Sequence, residues 1–170
     1  MHIDSFDEIE LSGGVKVSLD DLMPIIRERL AAGQDIEFFP HGSSMLPMIR
    51  DGRDSVILTA VKSRLKKYDI PLYRREDGKY ILHRIIAVGD TYTCLGDNLF
   101  QVERGITDDQ IIAVVSAIKR EGREISVNSP FYRVKSVVRV KTYKIRCFAF
   151  RAKRKAKRII SKIISDLKRD

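Results

Sequence analysis

Between Ile36 and Ile118 the chain reads as six short β-branched or aromatic runs, "IEFF", "SVIL", "IPLY", "YILHRIIAV", "TYTCL" and "IIAVVSAI", and no other feature restricts its fold as strongly. The runs are strand-length, and "RDGRD", "REDGK", "VGDT" and "GDN" between them carry the glycines, aspartates and asparagine that form turns. The pattern predicts a mainly β, α+β protein with a compact, mostly antiparallel β domain over residues 36–124.

The flanks differ from this centre. Residues 1–35 form an irregular or strand-like lead with a turn at Gly13-Gly14, followed by one short helix in "DDLMPIIRERLAAG". Asp20 or Asp21 is its expected cap, Pro24 falls in its first turn, and Gly33 stops it. Residues 125–170 form a basic extension. Within it, Ser129-Pro130 is good helix-start chemistry ahead of a β-branched segment. The end, 151–170, places Ala152, Ala156, Ile159, Ile160, Ile163, Ile164 and Leu167 at helical spacing with Lys and Arg opposite, predicting a basic amphipathic helix.

Charge follows the same division. Residues 1–124 hold 17 Lys/Arg against 21 Asp/Glu, whereas 125–170 hold 15 against 2, so the net +9 of the 170-residue chain originates in its C-terminal part. A basic tail suits nucleic acid, anionic lipid or an acidic partner, and charge alone does not choose among them. No apolar run approaches the roughly 20 residues of a membrane-spanning helix, and the acidic "MHIDSFDEIE" start lacks a signal sequence's apolar core. The expectation is a cytoplasmic protein, peripheral at most at a membrane surface. Cys94 and Cys147 are far apart and read as reduced thiols, and the three histidines show no metal-ligand spacing.

Two features invite chemistry. The stretch "FFPHGSSMLPMIRDG" sets Ser43 and Ser44 in a glycine- and proline-flanked bend at a strand's end. A serine becomes a useful nucleophile only beside a base. In "YILHRIIAV", alternation sends Ile81, His83 and Ile85 to one face and Tyr80, Leu82 and Arg84 to the other, so His83 is the leading candidate base. A core histidine bonded to a backbone carbonyl would show the same alternation. Lys62, Lys66 and Lys67 read as a solvated connection, and Arg50, Asp51, Arg53 and Asp54 as a charged surface turn.

"GSSMLP" at 42–47, "HRI" at 83–85 and "GDN" at 96–98, in that order and separated by strands, resemble the boxes of signal peptidase I-like serine peptidases of the Ser/His subtype. The resemblance covers about half of the chain. It implies the fold shared with LexA-type self-cleaving repressors, Ser44 as nucleophile with Ser43 its neighbour, His83 as general base, and Asp97 as an acid that orients the imidazole. Gly42 would permit the sharp turn, Pro47 stiffen the exit and Met45 bury beneath the site. The resemblance also implies a peptide or protein substrate lying extended beside a strand, with no cofactor and no metal. The chain departs from the family at Gly42, where some relatives have a hydroxyl aiding the oxyanion, at Leu99 after the GDN box, and in lacking an N-terminal membrane anchor.

The leading expectation is a serine endopeptidase cleaving a precursor or leader peptide. One alternative is a LexA-like self-cleaving or non-catalytic regulatory module; residues 1–35 hold too little helix for a helix-turn-helix. Another is a nucleic-acid- or membrane-binding protein acting through its tail. The isoleucine stripe argues against nucleic acid and for anionic membrane contact through 151–170, or for docking on the domain itself.

Overall fold

The computed structural model describes the backbone of residues 8–11 and 15–167 and the side chains of residues 18–155, 158 and 161. The turn expected at Gly13-Gly14, and the side chains of the apolar stripe from Ala156 onward, lie outside the described residues.

Strands β1 (Glu8–Leu11) and β2 (Val15–Ser18) pair antiparallel and lead directly into α1 (Leu19–Ala31). The cap is Ser18, not Asp20 or Asp21: its Oγ accepts the Asp20 N–H at 3.3 Å. The two aspartates instead occupy the first turn, where the helix dipole favours them. Pro24 lies inside the helix, beyond the first turn where it was expected. Gly33, at φ +74, ends it as a Schellman motif, Gly33 N–H donating to Leu30 O and Gln34 N–H to Arg29 O. Leu19, Met23, Ile26 and Leu30 recur every three or four residues and are the buried face.

The larger sheet contains β3 (Ile36–Phe38), β4 (Asp54–Thr59), β10 (Ile111–Arg120), β5 (Pro71–Arg74) and β6 (Tyr80–Leu82) in that spatial order, with β11 (Arg123–Ser126) also pairing β10. The smaller sheet is β7 (Arg84–Val88), β8 (Tyr92–Leu95) and β9 (Glu103–Ile106). All pairings are antiparallel. The β10–β11 turn has positive φ at both Glu121 and Gly122, the conformation that matches strand twist in a tight hairpin.

Alternation assigns the two cores. Leu72, Tyr80 and Leu82 join the main cluster with α1, Phe38, Met45, Val56 and Leu58, while Tyr73 and Ile81 join Ile85, Tyr92, Cys94 and Ile106 in a second one. Thus β5 and β6 are buried on both faces, each large aliphatic side chain contributing roughly 1.5–3 kcal/mol. Cys94 and Cys147 are both free thiols.

The single strand expected over "YILHRIIAV" is two. Leu82 pairs with Leu72 in the larger sheet, Arg84 pairs with Leu95 in the smaller, and His83 lies between them. On its free edge β7 is held by Tyr68 and Asp69, whose backbone exchanges hydrogen bonds with Ile85 at 2.8 and 2.9 Å. The alternation itself survives the break, with Ile81 and Ile85 in one core and Tyr80 and Leu82 in the other.

After β11, which runs across the boundary expected between 124 and 125, come α2 (Pro130–Lys141) and α3 (Tyr143–Leu167). Ser129 caps α2 by accepting the Tyr132 N–H, so helix-start chemistry overrides the β-branched content that follows. Tyr132 and Ser136 of α2 are buried against the body.

Candidate active site

The connection from β3 to β4 carries the serine pair. Gly42 has φ +101, a conformation L side chains resist, and its N–H donates to Asp51 Oδ1 at 3.1 Å. From Ser43 to Ile49 the backbone coils tightly, with Met48 N–H and Ile49 N–H both donating to Met45 O at 3.0 Å. Met45 is buried in the main cluster, as expected for a side chain supporting the bend, and Pro47 is exposed after a cis Leu46–Pro47 bond. Ser43 is exposed, whereas Ser44 is 1% exposed.

The exit of this loop is no ordinary charged turn. Asp54 is fully buried, accepting from Arg50 Nε at 3.0 Å, the Arg50 backbone N–H at 2.8 Å and Arg120 Nη2 at 2.6 Å. Burial pushes the Asp54 carboxyl up, but Arg120 and Arg50 outweigh it and hold it below its usual value. Arg120 also donates to Met48 O at 3.0 Å, so one buried carboxylate fixes both ends of the turn to β10.

The GDN turn packs directly on Ser44. Asn98 N–H donates to Ser44 O at 2.7 Å, and a Cβ at Gly96 would stand 2.9 Å from that carbonyl oxygen and from the Leu99 side chain. Glycine is required there by close approach, since no positive φ is involved.

Asp97, the acid expected to orient the imidazole, is committed elsewhere. Its two oxygens accept from Arg84 Nε and Nη2 at 2.9 and 2.7 Å, a bidentate pair. Arg84 is fully buried and also donates to Tyr68 O, Ser136 Oγ and Tyr132 OH at 3.0, 3.0 and 3.1 Å. Burial opposes the charge, but Asp97 more than offsets it and raises the Arg84 pKa above its ordinary value. Asp97 therefore ties the GDN turn to the residue that follows His83, and through Arg84 to α2.

The carboxylate at the imidazole is Glu103, on β9. His83 is fully buried, and its Nδ1 stands 3.1 Å from Glu103 Oε1 and 3.4 Å from Tyr73 OH. Tyr73 OH donates to the other oxygen, Oε2, at 3.0 Å, and Arg75 Nε lies 3.8 Å from it. Burial raises the Glu103 pKa, but His83, Tyr73 and Arg75 together hold it below the usual carboxylate value. Burial and the neighbouring Glu103 charge push the Tyr73 hydroxyl up, keeping it a proton donor, and push the Cys94 thiol up to about 12.

Because Tyr73 OH gives its proton to Glu103 Oε2, the Nδ1 hydrogen bond of His83 runs to the Tyr73 oxygen, while Glu103 Oε1 lies 3.1 Å away without a hydrogen-bond partner of its own; a proton on Nδ1 leaves a lone pair at Nε2. That nitrogen is buried without a hydrogen-bond partner, so the bond to Ser44 Oγ is not made in this conformation. The three boxes nevertheless converge: Ser44 is bonded to Asn98, Asp97 to Arg84, and Arg84 adjoins His83.

Both C-terminal helices close over this assembly. Arg139 of α2 donates to Asp97 O at 2.8 Å and to Leu46 O at 3.2 Å, bridging the two loops. Arg146 of α3 donates to Asp97 O at 3.0 Å, and Phe150 stacks on Phe100 with ring centroids 4.6 Å apart. Lys62, Lys66 and Lys67 are exposed, and the Lys67 ammonium lies over the Tyr68 ring.

Glu103 escaped the sequence reading because "ERGI" is charged, contains a glycine and does not look like a strand. Its meeting with His83 depends on two pairings, β7–β8, which sets Ile85 opposite Cys94, and β8–β9, which sets Cys94 opposite Glu103. Among the described residues no three His, Cys, Asp or Glu side chains are grouped as a metal would need, and no helix is long and apolar enough to cross a membrane. Compared with known proteins, no family model matches the chain, and neither a curated protein nor a solved structure does.

Proposed function

We propose that this protein is a serine endopeptidase of the signal peptidase I-like, LexA-fold kind, with Ser44 as nucleophile, His83 as general base and Glu103 as the acid that orients the imidazole. One observation supports this above the others: a buried imidazole whose Nδ1 lies 3.1 Å from a carboxylate oxygen and whose Nε2 is unpartnered, next to Arg84, which is paired with the GDN turn that in turn bonds Ser44 O.

Ser44 Oγ attacks the carbonyl carbon of the scissile peptide while His83 Nε2 takes the hydroxyl proton, and Glu103 stabilises the imidazolium that forms. The Ser44 backbone N–H donates to the developing oxyanion. As the C–N bond breaks, Nε2 returns the proton to the leaving amine, leaving an ester on Ser44. A water activated by the same nitrogen then hydrolyses it, releasing the new carboxyl terminus and restoring the serine. The substrate is a precursor or leader-bearing peptide, held extended beside a strand edge so that backbone pairing supplies affinity and side-chain pockets supply choice.

A serine-directed fluorophosphonate probe tests the assignment. Labelling of the folded protein that disappears in both Ser44→Ala and His83→Ala is the expected result, and undiminished labelling in either variant sinks the mechanism. The buried Ser44 and the unmade Ser44–His83 bond favour a second reading, a self-cleaving or latent regulatory module. A specific cleaved product of the intact chain, absent from Ser44→Ala by mass spectrometry, would distinguish it from cleavage in trans.

A further inference from the structure

Helix α2 has two dissimilar faces. Tyr132, Ser136 and Arg139 point inward onto Arg84 and the two site loops. Phe131, Val134 and Val138 are 69%, 62% and 54% exposed along the open side of a groove that they line with Tyr132, Arg139, Met48 and Ile118, and α3 extends the series with Ile145 at 69% and Phe148 at 76%. Isolated exposed apolar residues are ordinary, but five along one helical arm form a continuous face.

The charge around this face identifies its partner. Residues 130–167 contain 13 Lys or Arg and 1 Asp or Glu. The Lys135 ammonium lies 4.1 Å from the centre of the exposed Phe131 ring, and Arg151, Lys153, Arg154, Lys155 and Arg158 are all exposed. A second copy of so basic an arm would repel the first. Nucleic acid would meet the cations but has no use for exposed valine and isoleucine. Large apolar side chains beneath a cationic rim, on a long helical arm, fit the boundary between headgroups and acyl chains.

We propose that the outward face of α2 and α3 docks on an anionic lipid bilayer, with Phe131, Val134, Val138, Ile145 and Phe148 entering the acyl boundary and the surrounding Lys and Arg meeting the headgroups. The face thus begins on α2, well before the 151–170 tail. Because the inner side of α2 is bonded to Arg84 and to the Ser44 and GDN loops, docking there holds the candidate site at a fixed orientation to the membrane. The proposal does not depend on peptidase activity.

The test uses the full chain and extruded phosphatidylcholine vesicles with or without about a third phosphatidylserine. Co-sedimentation should be at least about tenfold stronger with the anionic vesicles and weaken in high salt. The doubly substituted Phe131→Ser, Phe148→Ser protein, with its circular dichroism unchanged, should bind about 10–100-fold more weakly. The chain has no tryptophan, so a Phe148→Trp reporter should shift its emission to shorter wavelength on anionic vesicles only. Equal binding to both vesicles, unaltered binding by the double variant, or an unshifted reporter overturns the proposal. Binding of a single-stranded oligonucleotide in place of vesicles, insensitive to the two serines, overturns it in favour of nucleic acid.

Discussion

His83, just before β7, and Glu103, on β9, approach each other past the intervening β8, Nδ1 to Oε1 at 3.1 Å, and this contact separates two acids that the GDN box alone would confuse. If Glu103 orients the base, Glu103→Gln should retain the fold and lower the rate of Ser44 acylation by up to about 10⁴-fold, the loss seen when an orienting acid is made neutral. Probe-labelling kinetics measure it, and an unchanged rate would falsify the role of Glu103.

Asp97 should behave in the opposite way. Asp97→Ala strips a fully buried guanidinium of its bidentate partner, and loss of one member of such a pair costs about 3–5 kcal/mol. Urea denaturation should show a large drop in midpoint with Asp97→Ala and a small one with Glu103→Gln.

Acid should weaken the fold in two places. The carboxyls of Glu103 and Asp54 are both held below their ordinary values of 4.5 and 3.8. A carboxylate with a depressed folded-state pKa contributes stability that is fully present above the unfolded value and lost as pH falls through the folded one. Stability should therefore be flat in this respect above about pH 5 and decline below it. Glu103→Gln should make that decline shallower, as followed by thermal melting across a pH series.

Gly96→Ala introduces a Cβ 2.9 Å from the backbone oxygen of Ser44. The GDN turn must then move away from the serine, at a cost of about 1–3 kcal/mol, and labelling of Ser44 should fall with it. Gly105→Ala offers a contrast: no atom lies within 4 Å of its added Cβ, and any loss there comes from φ +79 alone.

The arginines of the C-terminal helices should govern how readily the two loops open. Truncation after Thr142 retains α2 and its bonds to Arg84 but removes Arg146 and Phe150 from Asp97 and Phe100. Amide exchange at residues 96–100 should accelerate while that of β10 does not. Unchanged exchange in the turn would show that α3 does not restrain it.

Much of this architecture was legible in the chain. "IEFF", "SVIL", "IPLY", "TYTCL" and "IIAVVSAI" mark β3, β4, β5, β8 and β10, because apolar strands buried against a core advertise themselves by composition. β9 and β11, "ERGI" and "REIS", do not: they are charged, and pairing with an established neighbour defines them. Ser44, His83 and the GDN turn were readable as local motifs. Glu103 was not, nor was the role of Asp54, since each acquires its partners from residues distant in sequence.

His83 belongs to neither sheet, and its backbone is the joint where the chain leaves one for the other. A small change in the angle between the sheets would move the imidazole while leaving each sheet's own hydrogen-bond ladder intact. Under the proposed mechanism, the approach of Nε2 to Ser44 would then depend on how the two sheets are set against each other, and substitutions under β5 or β8 would be expected to alter it.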